Sequence, residues 1–352
     1  MKAKAKERDK LMKTKFPFTI TLSLLSCLAF TFTAPAIISE PTTLDLFASI
    51  NGTTQNGGGS ILEFTPPGVQ STLASALSRP RGIAFDSAGN LFVATTTLDL
   101  NSGNYSGAIL KIASDGTQTT FANVSGPSVS FILEDLKIDD SDNVFLMVND
   151  ETDPNEASVI YRFAPDGTQS TFGGVPGQGY GLAFDSEGNL YAADFADQTV
   201  YLFTPAGTRT VFIGPSAFDP DQGPAGLAFD RFGNLFVSTE IAGNPGGGDT
   251  ILMFAPDGTR STFASGLNEP RGLAFDTAGN LFVAEIPATT TGDILKFSSD
   301  GTYTVFASGI GRTEGNGGPE FFAFQRNAAP IPRRHPTPHP HPTPPPHPTP
   351  PR

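Results

Sequence analysis

The sequence predicts an all-β chain built from four-stranded units repeated around a closed ring. Three observations carry that reading: a phrase that recurs in register, turn residues at fixed offsets inside each recurrence, and a residue usage that suits strands. "PRGIAFDSAGNLFVAT" from Pro80 returns almost unchanged as "PRGLAFDTAGNLFVAE" from Pro270. Weaker copies lie between them. Aligning Gly82, Asp135, Gly181, Gly226, Gly272 and Phe321 gives successive spacings of 53, 46, 45, 46 and 49 residues. Phe occurs 30 times, Tyr 6 times and Trp never, beside 38 Gly and 31 Pro and only 16% charged residues. Short strands joined by tight turns use such a mixture.

Each unit reads as the same four strands. The first is G-L-A-F-D, as at Gly181 to Asp185, and Asp-x-x-Gly-Asn turns the chain, as at Asp185 to Asn189. The second is L-F-V-A, as at Leu281 to Ala284. A loop of variable length follows, then I-L-x-F, as at Ile251 to Phe254 and Ile294 to Phe297. Pro-Asp-Gly-Thr or a near copy turns the chain again at Pro165, Pro256 and Ser299, ahead of S-T-F-A-S, as at Ser261 to Ser265. Asp and Asn bond their own nearby backbone, and Gly supplies the positive φ of a tight hairpin. The strands are apolar at nearly every position, which predicts sheets covered on both faces.

A period of about 45 residues with four strands per unit is the signature of a β-propeller. Six units are counted. The sixth first strand, "EFFAFQ" at Glu320 to Gln325, has no strands after it. The missing three stand at the other end: "LDLFAS" from Leu44, "ILEF" from Ile61 and "STLAS" from Ser71. The expected fold is therefore a six-bladed β-propeller with four-stranded blades, its ring closed by N- and C-terminal segments that share one blade.

Residues 1–36 read as a secretory signal. "MKAKAKERDKLMKTK" is a basic n-region, an apolar run follows, and Ala34-Pro35-Ala36 is a small-x-small cleavage site. The alternative is an uncleaved membrane anchor, since Phe16 to Ile38 is long enough to span a bilayer. The propeller is assigned to residues 37–329. Residues 330–352 hold twelve of the prolines and predict an extended spacer. The expected location is secreted, periplasmic or cell-surface, and the expected state a monomer.

The only Cys, Cys27, lies in the N-terminal apolar run, and the four His (His335, His339, His341, His347) lie in the tail. Residues 37–329 thus offer no thiol chemistry, no histidine base and no thiolate or imidazole metal ligand. The formal charge is −13; setting aside residues 1–36, with seven basic and two acidic groups, and three tail Arg leaves −21 between them. Such a surface excludes nucleic acid and anionic membranes as partners and favours cations or neutral ligands.

"PRGLAFDTAGNLFVAE…ILKFSSDGT" resembles the NHL repeat, over roughly residues 43 to 325. Propellers of this kind serve as binding scaffolds, lyases and hydrolases alike. The gluconolactonase and regucalcin-like propellers are similar in size and blade number. That resemblance implies a divalent metal held by a Glu, an Asn and an Asp, each just before the Gly of an inner strand. Here those positions read Arg81, Glu134, Tyr180, Ala225, Arg271 and Glu320, so only the two Glu match by type. The streptogramin lyases are also similar, but they rely on histidine.

Both repeated turns fall on one face of the disk, and the long, dissimilar loops fall on the other. Variable loops on a rigid ring are where sites usually sit. The residue before G-L-A-F-D opens onto that face, so Arg81, Glu134, Tyr180, Arg271 and Glu320 are the candidate ligand-binding set, with Asp194 and Glu285 as an outer ring. Arg offers a planar fork and Tyr a stacking face, which suits a carboxylate, a polar sugar or a zwitterion. Alternatively, Arg and Glu of neighbouring blades simply pair with each other. No catalytic residue, metal ligand or cofactor is assigned. Calcium is the one cofactor that "NDETDPNE" or "DPDQG" would suit, though neither has a recognised calcium spacing. The functional expectation is a binding or scaffold module for a small polar ligand or protein partner. The alternative is a lactonase-like hydrolase with a degenerate metal site.

Overall fold

The structure, a computed structural model, describes residues 44–325 apart from 53–56, 67, 125, 127, 151–156, 242–247, 287–290 and 312–316. Residues 1–36, read above as a secretory signal, residues 330–352, read as a spacer, and most of "NDETDPNE" lie outside the described residues. Among the described residues the only helical element is a single 3-10 turn at Pro215–Ala217, and everything else regular is strand.

The chain begins with β1 (Leu46–Ile50), β2 (Gly59–Thr65) and β3 (Val69–Leu77). The first complete blade is β4 (Pro80–Phe85), β5 (Leu91–Leu98), β6 (Tyr105–Ile112) and β7 (Gln118–Val124). The second is β8 (Phe131–Ile138), β9 (Val144–Asp150), β10 (Ser158–Phe163) and β11 (Gln169–Val175). The third runs β12 (Gly179–Phe184), β13 (Leu190–Asp194), β14 (Thr199–Phe203) and β15 (Arg209–Ile213). The fourth is β16 (Gln222–Phe229), β17 (Leu235–Ile241), β18 (Asp249–Phe254) and β19 (Arg260–Leu267). The fifth is β20 (Pro270–Phe275), β21 (Leu281–Glu285), β22 (Gly292–Phe297) and β23 (Tyr303–Ile310). Finally β24 (Pro319–Phe324) pairs antiparallel with β1, giving a sixth sheet in the order β24-β1-β2-β3. The shared blade expected from the sequence is present. Strands β4, β8, β12, β16, β20 and β24 are innermost, and each packs on the next around the ring.

The turns work as their residues dictate. Asp86 Oδ1 accepts from the backbone N–H of Ala88 and Asn90 and from Asn90 Nδ2, while Gly89 takes φ 82°. The second blade carries Asp142 at the glycine position, at φ 59°, and uses its carboxylate to accept from Ser87 N and Oγ of the preceding blade. A left-handed residue with a short polar side chain is thereby turned into a link between blades.

Six apolar clusters each bridge two neighbouring blades, so the core is a ring of interfaces with no single centre. Phenylalanine does most of the joining. In five of the six blades the aromatic of the second strand packs edge-on against the Phe ending the next blade's inner strand: Phe47–Phe85, Phe145–Phe184, Tyr191–Phe229, Phe236–Phe275 and Phe282–Phe324, at 4.8–5.3 Å between centroids; after Phe92 the next inner strand ends in Ile138 instead. The fourth-strand Phe closes the other side, as in Phe236–Phe263 at 5.0 Å. Each such pair adds about 0.5–1.5 kcal/mol beyond its buried area. Three repeat positions therefore explain a chain rich in Phe.

Candidate functional site

Every candidate on the inner strands stands at a break in strand pairing. On β4, Pro80 pairs with Thr95 and Ile83 with Val93, so Arg81 and Gly82 together face Ala94. The same two-against-one bulge holds Glu134–Asp135, Tyr180–Gly181, Ala225–Gly226, Arg271–Gly272 and Glu320–Phe321. Bulges re-aim side chains. Here one recurs in every inner strand at the position the alignment singled out.

The glycine has its own cause. A Cβ on Gly226 would strike the Arg271 carbonyl oxygen of the next inner strand, and one on Gly82 would strike the backbone of Asp135 and Leu136. Where the second blade carries Asp135 instead, its buried carboxylate reaches across to accept from Leu182 N at 2.9 Å and pairs with Lys137 at 2.7 Å. The inner strands thus approach closely enough for the preceding residues to meet.

They meet as one buried ionic cluster. Arg81 Nη1 binds Glu134 Oε1, and Arg81 Nη2 reaches Glu320 Oε2 at 3.3 Å. Arg271 binds the same Glu320 oxygen through Nη1 and Glu240 Oε1 through Nε, both at 3.0 Å. Arg271 also lies 5.9 Å from the Tyr180 ring centroid, and Tyr180 packs edge-on against Phe195 at 5.5 Å. Asn149 Nδ2 donates to Glu134 Oε1 at 3.3 Å, and Asn51 Nδ2 to Glu320 Oε1 at 3.5 Å. Glu134, Glu240 and Glu320 are 2%, 6% and 4% exposed. Five of the predicted residues are brought together, and the Arg–Glu pairs do form.

The two Arg balance the three Glu unevenly. Burial pushes Glu134 up to about 7, against the opposing pull of Arg81 and Arg271, while Glu320 adds to the rise. Glu320 is buried too, but the two guanidiniums and their hydrogen bonds hold it down at about 2. Burial also raises Glu240, opposed by Arg271, and takes Tyr180 to about 12. Glu134 keeps one oxygen, Oε2, buried and without a partner; Asn51 Oδ1, Arg81 Nε and Gln222 Oε1 share that condition.

Glu240, Asn149 and Asn51 were not among the sequence candidates. They stand one residue past the repeated second-strand phrase, a position that reads Thr96, Asn149, Phe195, Glu240, Ile286 and Asn51 around the ring. Reading the register one step further would have found them. Asp194 and Glu285 do not join the cluster. Asp194 accepts from Gly177 N at 2.9 Å and Asp197 N at 3.1 Å, and Glu285 from Asn268 N at 2.8 Å. Both hold the loops that lead into or out of their blade. At the opposite face the channel opens as an apolar funnel of about 290 Å³, lined by residues such as Phe85, Ile138, Phe184 and Phe275.

A divalent metal of the kind the lactonase resemblance implies does not fit these donors. Both matching carboxylates are occupied by Arg81, and a dication would have to displace two guanidiniums. Among the described residues, no group of three or more His, Cys, Asp or Glu is placed to hold a metal ion.

No family model matches the chain, and no curated protein matches it. Solved structures do. The periplasmic gluconolactonase of Pseudomonas aeruginosa superposes with a TM-score of 0.52 at 16% identity, over 81% of this chain and 99% of that one. A protein of unknown function from Bacteroides caccae gives 0.54 at 13% identity, over 81% and 100%. A protein from Lactobacillus plantarum gives 0.52 at 12%, over 81% and 100%. The likeness is one of fold. This chain is a six-bladed β-propeller, and its chemistry has to be argued from its own residues.

Proposed function

We propose that this protein is an exported recognition module that binds one small polar ligand at the variable-loop mouth of its channel. One observation carries the reading. Of the four buried side-chain polar atoms without a partner among the described residues, Asn51 Oδ1, Arg81 Nε and Glu134 Oε2 belong to the ionic cluster, and Gln222 Oε1 belongs to the first residue of β16 on the same face. Buried polar atoms are otherwise paired. A concentration of unpaired ones on one face of a propeller is what complementary ligand groups would satisfy. Export rests on residues 1–36 alone; no helix among the described residues is long and apolar enough to cross a membrane.

The test is a thermal-melting screen of the full chain against neutral polyols, sugar acids, amino acids and amines. A ligand that raises the melting temperature, and whose effect is lost in Arg271→Lys, supports the reading. No shift from any class sinks it.

A metal-free hydrolase of the lactonase type is the second reading. It is favoured by the fold shared with the Pseudomonas gluconolactonase and by Glu134, whose pKa of about 7 suits proton transfer at neutral pH. Hydrolysis of glucono-δ-lactone that survives EDTA and disappears in Glu134→Gln would make this the better account.

A further inference from the structure

The cluster holds three buried carboxylates against two guanidiniums. Four guanidinium nitrogens, Arg81 Nη1 and Nη2 and Arg271 Nε and Nη1, have acidic partners, whereas Glu134 Oε2 and Asn51 Oδ1 in the cluster, and Gln222 Oε1 on the same face, are acceptors with nothing to accept. The unpartnered acceptors outnumber the one unpartnered donor, Arg81 Nε, by three to one, and three carboxylates face two guanidiniums, so the missing group is a positive one carrying several N–H donors, as an alkylammonium does. We propose that the channel mouth binds a primary amine, its ammonium group held against Glu134 Oε2. The inference rests on the ligand-binding reading above and names the ligand's class.

The site is built for one such group. Glu134 Oε1 is fixed from two sides, by Arg81 from β4 and Asn149 from β9, while Oε2 is buried with no partner of its own. The strand β12 neighbour contributes Tyr180, whose face is already shared with Arg271 and whose ring is held by Phe195. A charge of −21 over residues 37–329 draws cations toward this ring.

The resident counter-charge in the ligand-free protein is a proton. The groups that act on Glu134 are Arg81 from the first blade, Arg271 from the fifth, Glu320 from the sixth and Arg79 from the link between β3 and β4. Its own strand adds Asp135, which is tied to Lys137, and Tyr180 stands on the next inner strand. Together with burial they leave the carboxyl half-protonated near neutral pH. An arriving ammonium displaces that proton, so binding releases up to one proton and tightens as pH rises toward 8.

Calorimetric titration of the full chain tests this with matched probes: ethanolamine against ethylene glycol, benzylamine against benzyl alcohol, and tetramethylammonium as a cation without N–H. At least one primary amine should bind, with affinity rising about tenfold per pH unit below pH 7 and levelling above it. The matched alcohol and tetramethylammonium should bind at least about tenfold more weakly. Glu134→Gln should weaken the amine by roughly 10- to 100-fold and flatten its pH dependence, whereas Glu134→Asp should keep the dependence. Melting curves of both variants establish that they are folded. Silence from every amine up to roughly 10 mM, or equal binding of amine and alcohol, overturns the proposal. Alcohols that bind while amines do not would refute the amine and leave the ligand-binding reading standing.

Discussion

Glu134 and Glu320 occupy equivalent bulges in two inner strands and share Arg81, yet they titrate in opposite directions. Stability should therefore respond to their neutralisation with opposite signs. Glu134 rises from 4.5 to about 7 on folding. The folded protein binds more protons than the unfolded chain between those values, so this group favours folding fully below pH 4.5. Its contribution is lost as pH rises through 7. At about 1.36 kcal/mol per pKa unit, ionisation of Glu134 costs roughly 3 kcal/mol by pH 8. Glu320 falls from 4.5 to about 2, so its contribution, again roughly 3 kcal/mol, is present above pH 4.5 and lost as pH falls toward 2. Glu134→Gln keeps the volume and removes the ionisation. Urea unfolding from pH 5 to 9 should show the variant close to wild type at pH 5 and progressively more stable, by about 2–3 kcal/mol, at pH 8 and above. Glu320→Gln should be destabilised throughout that range. A Glu134→Gln penalty that is the same at every pH would refute the reasoning, because it would mean the carboxylate is ionised and needed by Arg81.

Phe236 packs edge-on with both Phe263 and Phe275; Phe236→Ala should cost about 3–5 kcal/mol in chemical unfolding, and a loss under 1 would mean the aromatic ladder is not what joins blades. Gly226→Ala would place a methyl on the Arg271 carbonyl, so the variant should lose stability by roughly 1–3 kcal/mol and also lose ligand-induced thermal shifts, whereas unchanged melting would show that the inner strands can part freely. Asp194→Ala strips Gly177 N and Asp197 N of their acceptor; it should cost about 1–3 kcal/mol and leave ligand shifts intact, and a variant that melts normally but no longer binds would return Asp194 to the site.

The fold was legible because it repeats. Each blade has to bury both faces, turn twice on the same side and pass a glycine close to its neighbour, and each demand left the same residues at the same offsets. Even the exceptions marked real events, since Asp135 and Phe321 stand in the register where four other blades carry Gly. The inner ring of the site was legible for the same reason, as a variable position inside a constant phrase. Glu240, Asn149 and Asn51 were harder. They stand one step past the repeated second-strand phrase, where the residue type varies from blade to blade, with Glu240 and Asn149 near the ends of β17 and β9 and Asn51 just past β1. The roles of Asp194 and Glu285 depend on backbone N–H groups of irregular loops, which leave no mark in residue types.

The ring also contains its own control. At the position held by Arg81, Glu134, Tyr180, Arg271 and Glu320, the fourth blade carries Ala225, which is 2% exposed and sits in the same bulge. A small apolar residue therefore satisfies everything the backbone requires there. Buried ion pairs are seldom better for stability than well-packed apolar side chains, because desolvation offsets most of their attraction. The fold would stand with alanine or leucine in the other blades, and Glu134 in particular is held where its charge is disfavoured. Five polar side chains converging from five blades, with Glu240 adding a third carboxylate against two guanidiniums and one carboxylate oxygen left unpartnered, are an expense that packing does not require. The recognition role proposed above would account for them.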